Sequence, residues 1–505
     1  MQDKVISAAA AARMVKSGAT VAITGSGGGL VEPDALFAAI ERRFLDEGTP
    51  RDLTLVHALG LGDRDQRGTN RFAHDGMLRR VIGGHWTWSP RMQALAREER
   101  LEAYAFPSGA ITHLLREIGA GRPGLITHVG LGTFADPRHG GGRMNSAAQD
   151  ALVEVIRLDD ADYLRYKPFA VDVGIVRGTY ADTVGNIAFD DEPADLDGYV
   201  LALAAHNSGG IVIAQVREVV PAGTLGPRSI KIPGVLVDAV VVVPEQMQAY
   251  KTRFDAALVS RQGLRPATAP STDPVKRVIA RRAALALTDG ATLNFGFGAS
   301  AQVATMIAER GESSRYWMTI EQGIHGGSMI DDDRFGMAYH PDVIIDSASQ
   351  FDFYSGGGLD IAFLGMAEMD QAGNVNVSRL NGNVNGPGGF IDISQNAKIV
   401  VFCGTFDAKG AEIEVTPDGV FIRRAGSIPK VIAQVAQITF SGKEAQRRGQ
   451  RVLYVTERAT FALTPEGVEL IEIAPGVDLQ RDVLSQMGFR PVMRHVGVYD
   501  KGVLA

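Results

Sequence analysis

Val15-Lys-Ser-Gly18-Ala-Thr-Val-Ala-Ile-Thr-Gly25-Ser-Gly27 and Leu287-Thr-Asp-Gly290-Ala-Thr-Leu-Asn-Phe-Gly296-Phe-Gly298 write one pattern twice: a helix end, a short apolar strand and a glycine turn. Gly18-Ala-Thr and Gly290-Ala-Thr are separated by 272 residues, and the glycine pairs that follow by 271. A second match lies further on. Asp172-Val-Gly-Ile-Val-Arg-Gly-Thr-Tyr-Ala-Asp182-Thr-Val-Gly185-Asn186-Ile parallels Asp360-Ile-Ala-Phe-Leu-Gly-Met-Ala-Glu-Met-Asp370-Gln-Ala-Gly373-Asn374-Val at an offset of 188, which also carries Ile211-Val-Ile onto Ile399-Val-Val. The chain is therefore doubled. The fall in offset gives the first half 84 extra residues, an insertion expected over about 70–145.

In each half, apolar runs such as Val21-Ala-Ile, Leu53-Thr-Leu-Val, Leu293-Asn-Phe and Ile399-Val-Val-Phe alternate with Ala-rich helical stretches. Strands without polar alternation are strands covered on both faces. The reading is α/β: two tandem homologous open domains with mainly parallel sheets and an active site in the cleft between them. The domains are expected at 1–260 and 275–505. Between them Gly263-Leu-Arg-Pro-Ala-Thr-Ala-Pro-Ser-Thr-Asp-Pro274 has no helical periodicity.

Composition narrows the function classes. Hydrophobic residues at 45% and charged residues at 22% describe a globular chain, and 505 residues exceed a single core. A net charge of −7 leaves no chain-wide basic footprint for nucleic acid or anionic membrane. A single cysteine, Cys403, forbids an intrachain disulfide and a multi-cysteine zinc site, and it reads as a small buried apolar group. No apolar run reaches the ~20 residues of a membrane span, and the amino terminus lacks a signal-peptide layout. A cytoplasmic protein without nucleic-acid or membrane partners is expected. Glycine is the outlier: 59 residues, about 12% of the chain, gathered after strand-like runs where backbone can approach a ligand.

One motif supports two chemistries. Gly296-x-Gly298-x-x-Ala301 follows a strand and opens a helix, and the next strand, Tyr316-Trp-Met-Thr-Ile, ends at Glu321. That is the layout of a dinucleotide fingerprint with an acid for the ribose, so a nicotinamide-dependent oxidoreductase is one reading. The first half has no acid at the matching place, its second strand leading into His57-Ala-Leu-Gly. The other reading makes Glu321 a nucleophile. In Thr319-Ile-Glu321-Gln322-Gly323-Ile-His325-Gly326-Gly327 it is followed by open glycine backbone, which gives a thioester access and amides to an oxyanion.

Glu321-Gln-Gly-Ile-His-Gly-Gly, Gly357-Gly-Leu-Asp360, Gly373-Asn-Val-Asn and Gly386-Pro-Gly-Gly-Phe-Ile-Asp-Ile-Ser stand in an order that resembles the family I coenzyme A transferases, most closely the single-chain acetate/propionate type that includes 3-oxoacid transferases. Gly25-Ser-Gly-Gly-Gly, Gly83-Gly-His-Trp, Gly130-Leu-Gly-Thr-Phe-Ala-Asp-Pro-Arg138, Val455-Thr-Glu-Arg and Ile473-Ala-Pro-Gly extend the likeness over nearly the whole chain. The resemblance implies that Glu321 is the catalytic nucleophile and that Gly388 and Gly389 supply oxyanion-hole amides. Gly25, Gly27, Gly28, Ser108, Gly296, Gly298, Gln322 and Gly323 are expected to bind substrate. Ser108 departs from the family's Pro-Gln-Gly, which bears on the carboxylate accepted.

The resemblance further implies a ping-pong exchange of coenzyme A between a short-chain acyl-CoA and acetate, propionate or a 3-oxoacid, through a glutamyl-CoA thioester. It implies no metal and no tightly bound cofactor, coenzyme A being a substrate, and a homo-oligomer, dimer or tetramer. An acyl-CoA thioesterase and a non-catalytic CoA-binding protein are the nearer rivals. Asp172, Asp360, Asn186 and Asn374 occur in both halves, so their expected role is structural. For His85, Trp86 and His325 a structural role is as well supported as a pocket role.

Overall fold

The computed structural model of the chain describes residues 4–264 and 271–504. Part of the expected interdomain stretch, 265–270, lies outside the described residues. Two compact units are present. One holds the residues up to 264 together with Ile320–Asp352 and Asn381–Asp392; the other holds 271–319, Phe353–Leu380 and 393–504.

The first unit is built on seven parallel strands in the order Ala239–Val242, Ile211–Val216, Val173–Arg177, Thr20–Ile23, Leu53–His57, Leu78–Gly83 and Glu102–Ala105. Alternate side chains enter two separate cores: Val21, Ile23, Leu53 and Leu55 pack on one face, Ala22 and Val56 on the other. This is why the strands read as unbroken apolar runs. The 70–145 segment contributes the last two strands and the Ser108–Gly119 helix. The Asp34–Glu47 helix buries Leu36, Phe37, Ile40 and Phe44 and stops at Gly48, whose φ of 70° is costly for a side chain-bearing residue.

In a second sheet Trp317–Ile320, Thr292–Phe295, Ile361–Gly365, Ile399–Cys403 and Arg451–Val455 run parallel, and Ala459–Thr464 and Gly467–Ile473 continue it antiparallel. The α/β reading with mainly parallel sheets is borne out.

The internal repeat is visible in individual hydrogen bonds. The Asp172 carboxylate accepts the Thr20 amide at 2.7 Å, and Asp360 accepts the Thr292 amide at 2.8 Å. Asp182 takes the amides of Val184 and Asn186 at 3.0 and 2.9 Å; Asp370 takes those of Ala372 and Asn374, both at 3.0 Å. These Asx turns are closed by Gly185 and Gly373 at φ 90° and 74°. The shared acids are thus structural. Register extends the correspondence: Thr20 pairs with Thr54 and Thr292 with Trp317, so the repeat sets Ala58 of the first half against Glu321 of the second.

A buried ionic cluster secures the end of the second unit's sheet. Arg458 is fully buried, with Nη2 2.6 Å from Asp407 and Nε 3.0 Å from Glu457. Removing one partner from such a group leaves the other charges uncompensated. Arg458→Leu is expected to destabilise the protein by about 3–5 kcal/mol, read as a fall of the calorimetric transition that involves this unit; an unshifted transition would refute the assignment.

Candidate active site

The strand Trp317–Ile320 ends in a tight turn in which the Gly323 amide donates to the Ile320 carbonyl at 3.0 Å. A Cβ on Gly323, whose φ is 94°, would lie 1.9 Å from the Ile345 carbonyl oxygen. Glycine is therefore required there, and the turn projects Glu321 out of the strand. Its carboxylate receives the amide of Gly389 and the side chain of Gln322. A Cβ on Gly389 would stand 1.8 Å from Glu321 Oε2, so the contact exists only because that residue has no side chain.

Burial pushes the Glu321 carboxyl up to about 7; the Gln322 and Gly389 hydrogen bonds oppose the rise and are outweighed. A carboxylate partly withdrawn from water and ionising near neutral pH is a better nucleophile than a fully solvated one.

The expected pair of loop amides narrows to one. Gly388 donates its N–H to the Gly84 carbonyl at 2.8 Å, so this amide is already committed; Gly389 alone turns its N–H to Glu321. Gly388, at φ 56°, shapes the bend. Ser108 is also engaged by backbone. Its hydroxyl donates to the Ala58 carbonyl at 2.7 Å and its amide to Gly388 O at 2.9 Å, which ties the first turn of the Ser108–Gly119 helix to the glycine loop.

Gly25, Gly27 and Gly28 are buried against protein atoms. Added Cβ atoms would meet Glu32 at 2.6 Å, the Trp88 ring at 2.2 Å and the Asp333 carbonyl at 2.0 Å, respectively. The turn serves close packing, and Ser26 within it accepts from Gln322 Nε2 at 3.4 Å. Gly296 and Gly298 lie in the second unit, between Thr292–Phe295 and the Ala301–Glu309 helix. The acid that a dinucleotide reading would place on a ribose is held instead by Gly389.

Two histidines are tied into the packing by hydrogen bonds, His57 and His325. His57 is fixed as the neutral ring, with Nδ1 2.7 Å from the Leu59 carbonyl and Nε2 accepting the Trp86 indole N–H at 3.0 Å. Burial holds both His57 and His85 down at about 4. His325 bonds the Gln350 side chain at 2.7 Å.

Two acids escaped the sequence reading. Glu32 lies under the glycine turn, bonded to the Tyr250 hydroxyl and to the Gly62 amide at 2.9 Å, and burial pushes its carboxyl up to about 8. Asp392 stands three residues beyond Gly389, and its only outward signal is an acid inside the apolar run Phe390-Ile-Asp-Ile.

The coenzyme A transferase family model matches residues 5–243. The chain is 41% identical over 493 residues to the acetate CoA-transferase YdiF of Escherichia coli K12, covering 97% of this chain and 92% of that protein. It is 42% identical over 501 residues to the caffeate CoA-transferase of Acetobacterium woodii, covering 97% and 95%. The crystal structure of YdiF from E. coli O157:H7, described as a thioester complex with CoA, matches with a TM-score of 0.95 at 39% identity over all of this chain and 96% of that one. By full-length identity to two CoA-transferases and by a fold shared from end to end, the chain belongs to the coenzyme A transferase family and is a CoA-transferase.

Proposed function

We propose that the enzyme moves coenzyme A from a short-chain acyl-CoA to a small carboxylate, with acetate as the leading acceptor, and that Glu321 carries the coenzyme A between half-reactions. The observation that carries this reading is the partly buried Glu321 carboxyl, held by the Gly389 amide and ionising near neutral pH. The thioester complex described for YdiF supports a covalent route.

The Glu321 carboxylate attacks the acyl carbonyl and expels the CoA thiolate, forming an acyl-glutamyl anhydride. The thiolate then attacks the Glu321 side-chain carbonyl, which breaks the anhydride, releases the first acid and leaves a glutamyl-CoA thioester. An incoming carboxylate reverses both steps, returning acyl-CoA and free Glu321. The Gly389 N–H lies against the oxygen that becomes an oxyanion whenever the Glu321 carbonyl is attacked. A fixed donor of this kind is worth about 3 kcal/mol. One thioester replaces another, so the difficulty lies in the anhydride, and contacts to remote parts of coenzyme A offset its cost. The same reading takes 1–260 and 275–505 as the homologous domains, and the enzyme as a cytoplasmic homo-oligomer.

Glu321→Ala is expected to cut exchange between acetyl-CoA and short carboxylates by about 10³-fold or more. Wild-type enzyme incubated with acyl-CoA and trapped with hydroxylamine or borohydride should carry the modification on the peptide containing Glu321. Brisk exchange by the mutant, or an adduct elsewhere, would end this assignment; free acid without an acceptor would indicate a thioesterase.

The ionised carboxyl is the attacking form, so kcat/KM should rise with pH through about 7. Stability moves the other way. The folded chain keeps this proton between its unfolded value of 4.5 and its folded value of about 7, so stability falls as pH rises through that window. Glu321→Gln cannot ionise and should be more stable than wild type at pH 8 by about 2 kcal/mol, the gap closing towards pH 4.5. Equal pH dependence of the two melting temperatures would contradict the assigned ionisation.

A further inference from the structure

Asp392 is the acid nearest the reacting group that the mechanism above leaves unused. It lies in the short helix Phe390–Asn396, directly after the glycine loop, and its residue is 1% exposed. Its Oδ2 accepts the Gly109 amide at 3.1 Å across 283 residues of chain, and the Ala110 amide also points to it. Pro107, the residue preceding the Ser108–Gly119 helix, offers no side-chain cap, so a distant acid does that work. A Cβ on Gly109 would lie 2.4 Å from Asp392 Oδ1 and 2.7 Å from the Phe351 ring, which leaves the carboxyl room only beside a glycine.

A second tie runs in the opposite direction, the Ser108 amide donating to Gly388 O at 2.9 Å. The helix's first turn is thereby fastened to both sides of Gly389. Beyond it, the Gly388 amide is fixed on Gly84 O at 2.8 Å. Gly389 has little freedom left between these anchors.

We propose that Asp392 is a positioning residue: by fastening the glycine loop to the first turn of the Ser108–Gly119 helix, it holds the Gly389 amide on the carboxyl of Glu321. This rests on Glu321 as nucleophile. Burial drives the Asp392 carboxyl well above the usual carboxylate range, the neighbouring Glu321 charge adds to the rise, and the Gly109 amide opposes it. Glu321 and Tyr166 are the titratable groups facing it. A neutral carboxyl accepts the helix amides without setting a second negative charge beside the nucleophile.

The test uses the full-length enzyme with Asp392→Ala and Asp392→Asn, comparing kcat, the KM for acetyl-CoA and the single-turnover rate of Glu321 adduct formation, all per folded enzyme. D392A should lower kcat and the adduct rate together by about 10- to 100-fold, leaving KM within about threefold. D392N keeps an acceptor for Gly109 and should recover activity to within about fivefold of wild type. A cap that served only stability would leave all three readouts unchanged once corrected for folded fraction, and that result overturns the proposal.

D392N as slow as D392A also overturns it, because an acceptor for the Gly109 amide would then not be what the reaction needs. If D392A does not fold, Asp392→Ser takes its place in the same comparison: kcat and the adduct rate lowered together support the proposal, and both unchanged overturn it. Absence of any adduct in wild type would refute the nucleophile instead, so the two failures are distinguishable.

Discussion

Oε2 of Glu321 and the backbone of Gly389 meet only because residue 389 has no side chain; a single methyl group would occupy the carboxylate's place. That contact fixes what the surrounding chain must do. A strand has to end at residue 320, a turn that only glycine can make has to project the next side chain, and a loop from more than sixty residues later has to return with its amide facing inward. Burial then separates the carboxylate from water and raises its basicity, at a cost in stability that the rest of the fold must carry. Reactivity and instability here have the same source.

The glycines divide into two kinds. Gly323 and Gly389 are needed by the Glu321 carboxyl, since any side chain would displace either the turn or the carboxylate. Gly25, Gly27 and Gly28 are needed by packing, each pressed against Glu32, Trp88 or Asp333. Both kinds follow strands and both look alike in a sequence. The difference is three-dimensional: what occupies the missing side chain's place comes from elsewhere in the chain.

That distinction explains how much was legible beforehand. The doubled α/β fold could be read because its markers are local: Asp182 and Asp370 bond amides two and four residues on, and the apolar strands record burial on both faces. Glu321 could be singled out because its strand end and following glycines are contiguous. The commitment of the Gly388 amide to Gly84 could not be read, nor could the capture of the Ser108 hydroxyl by Ala58, because sequence separation hides both partners. Asp392 was hidden for the same reason, its amide partner lying 283 residues away. The locking of the His57 ring between Leu59 and Trp86 was likewise hidden, its indole partner lying 29 residues away.

The two halves keep the same aspartates, turns and strand pairing, yet the position that bears Glu321 in one bears Ala58 in the other, and Ala58 uses its carbonyl to hold Ser108. The polypeptide thus has two scaffolds of which one carries the acid, while the matching position of the other braces Ser108.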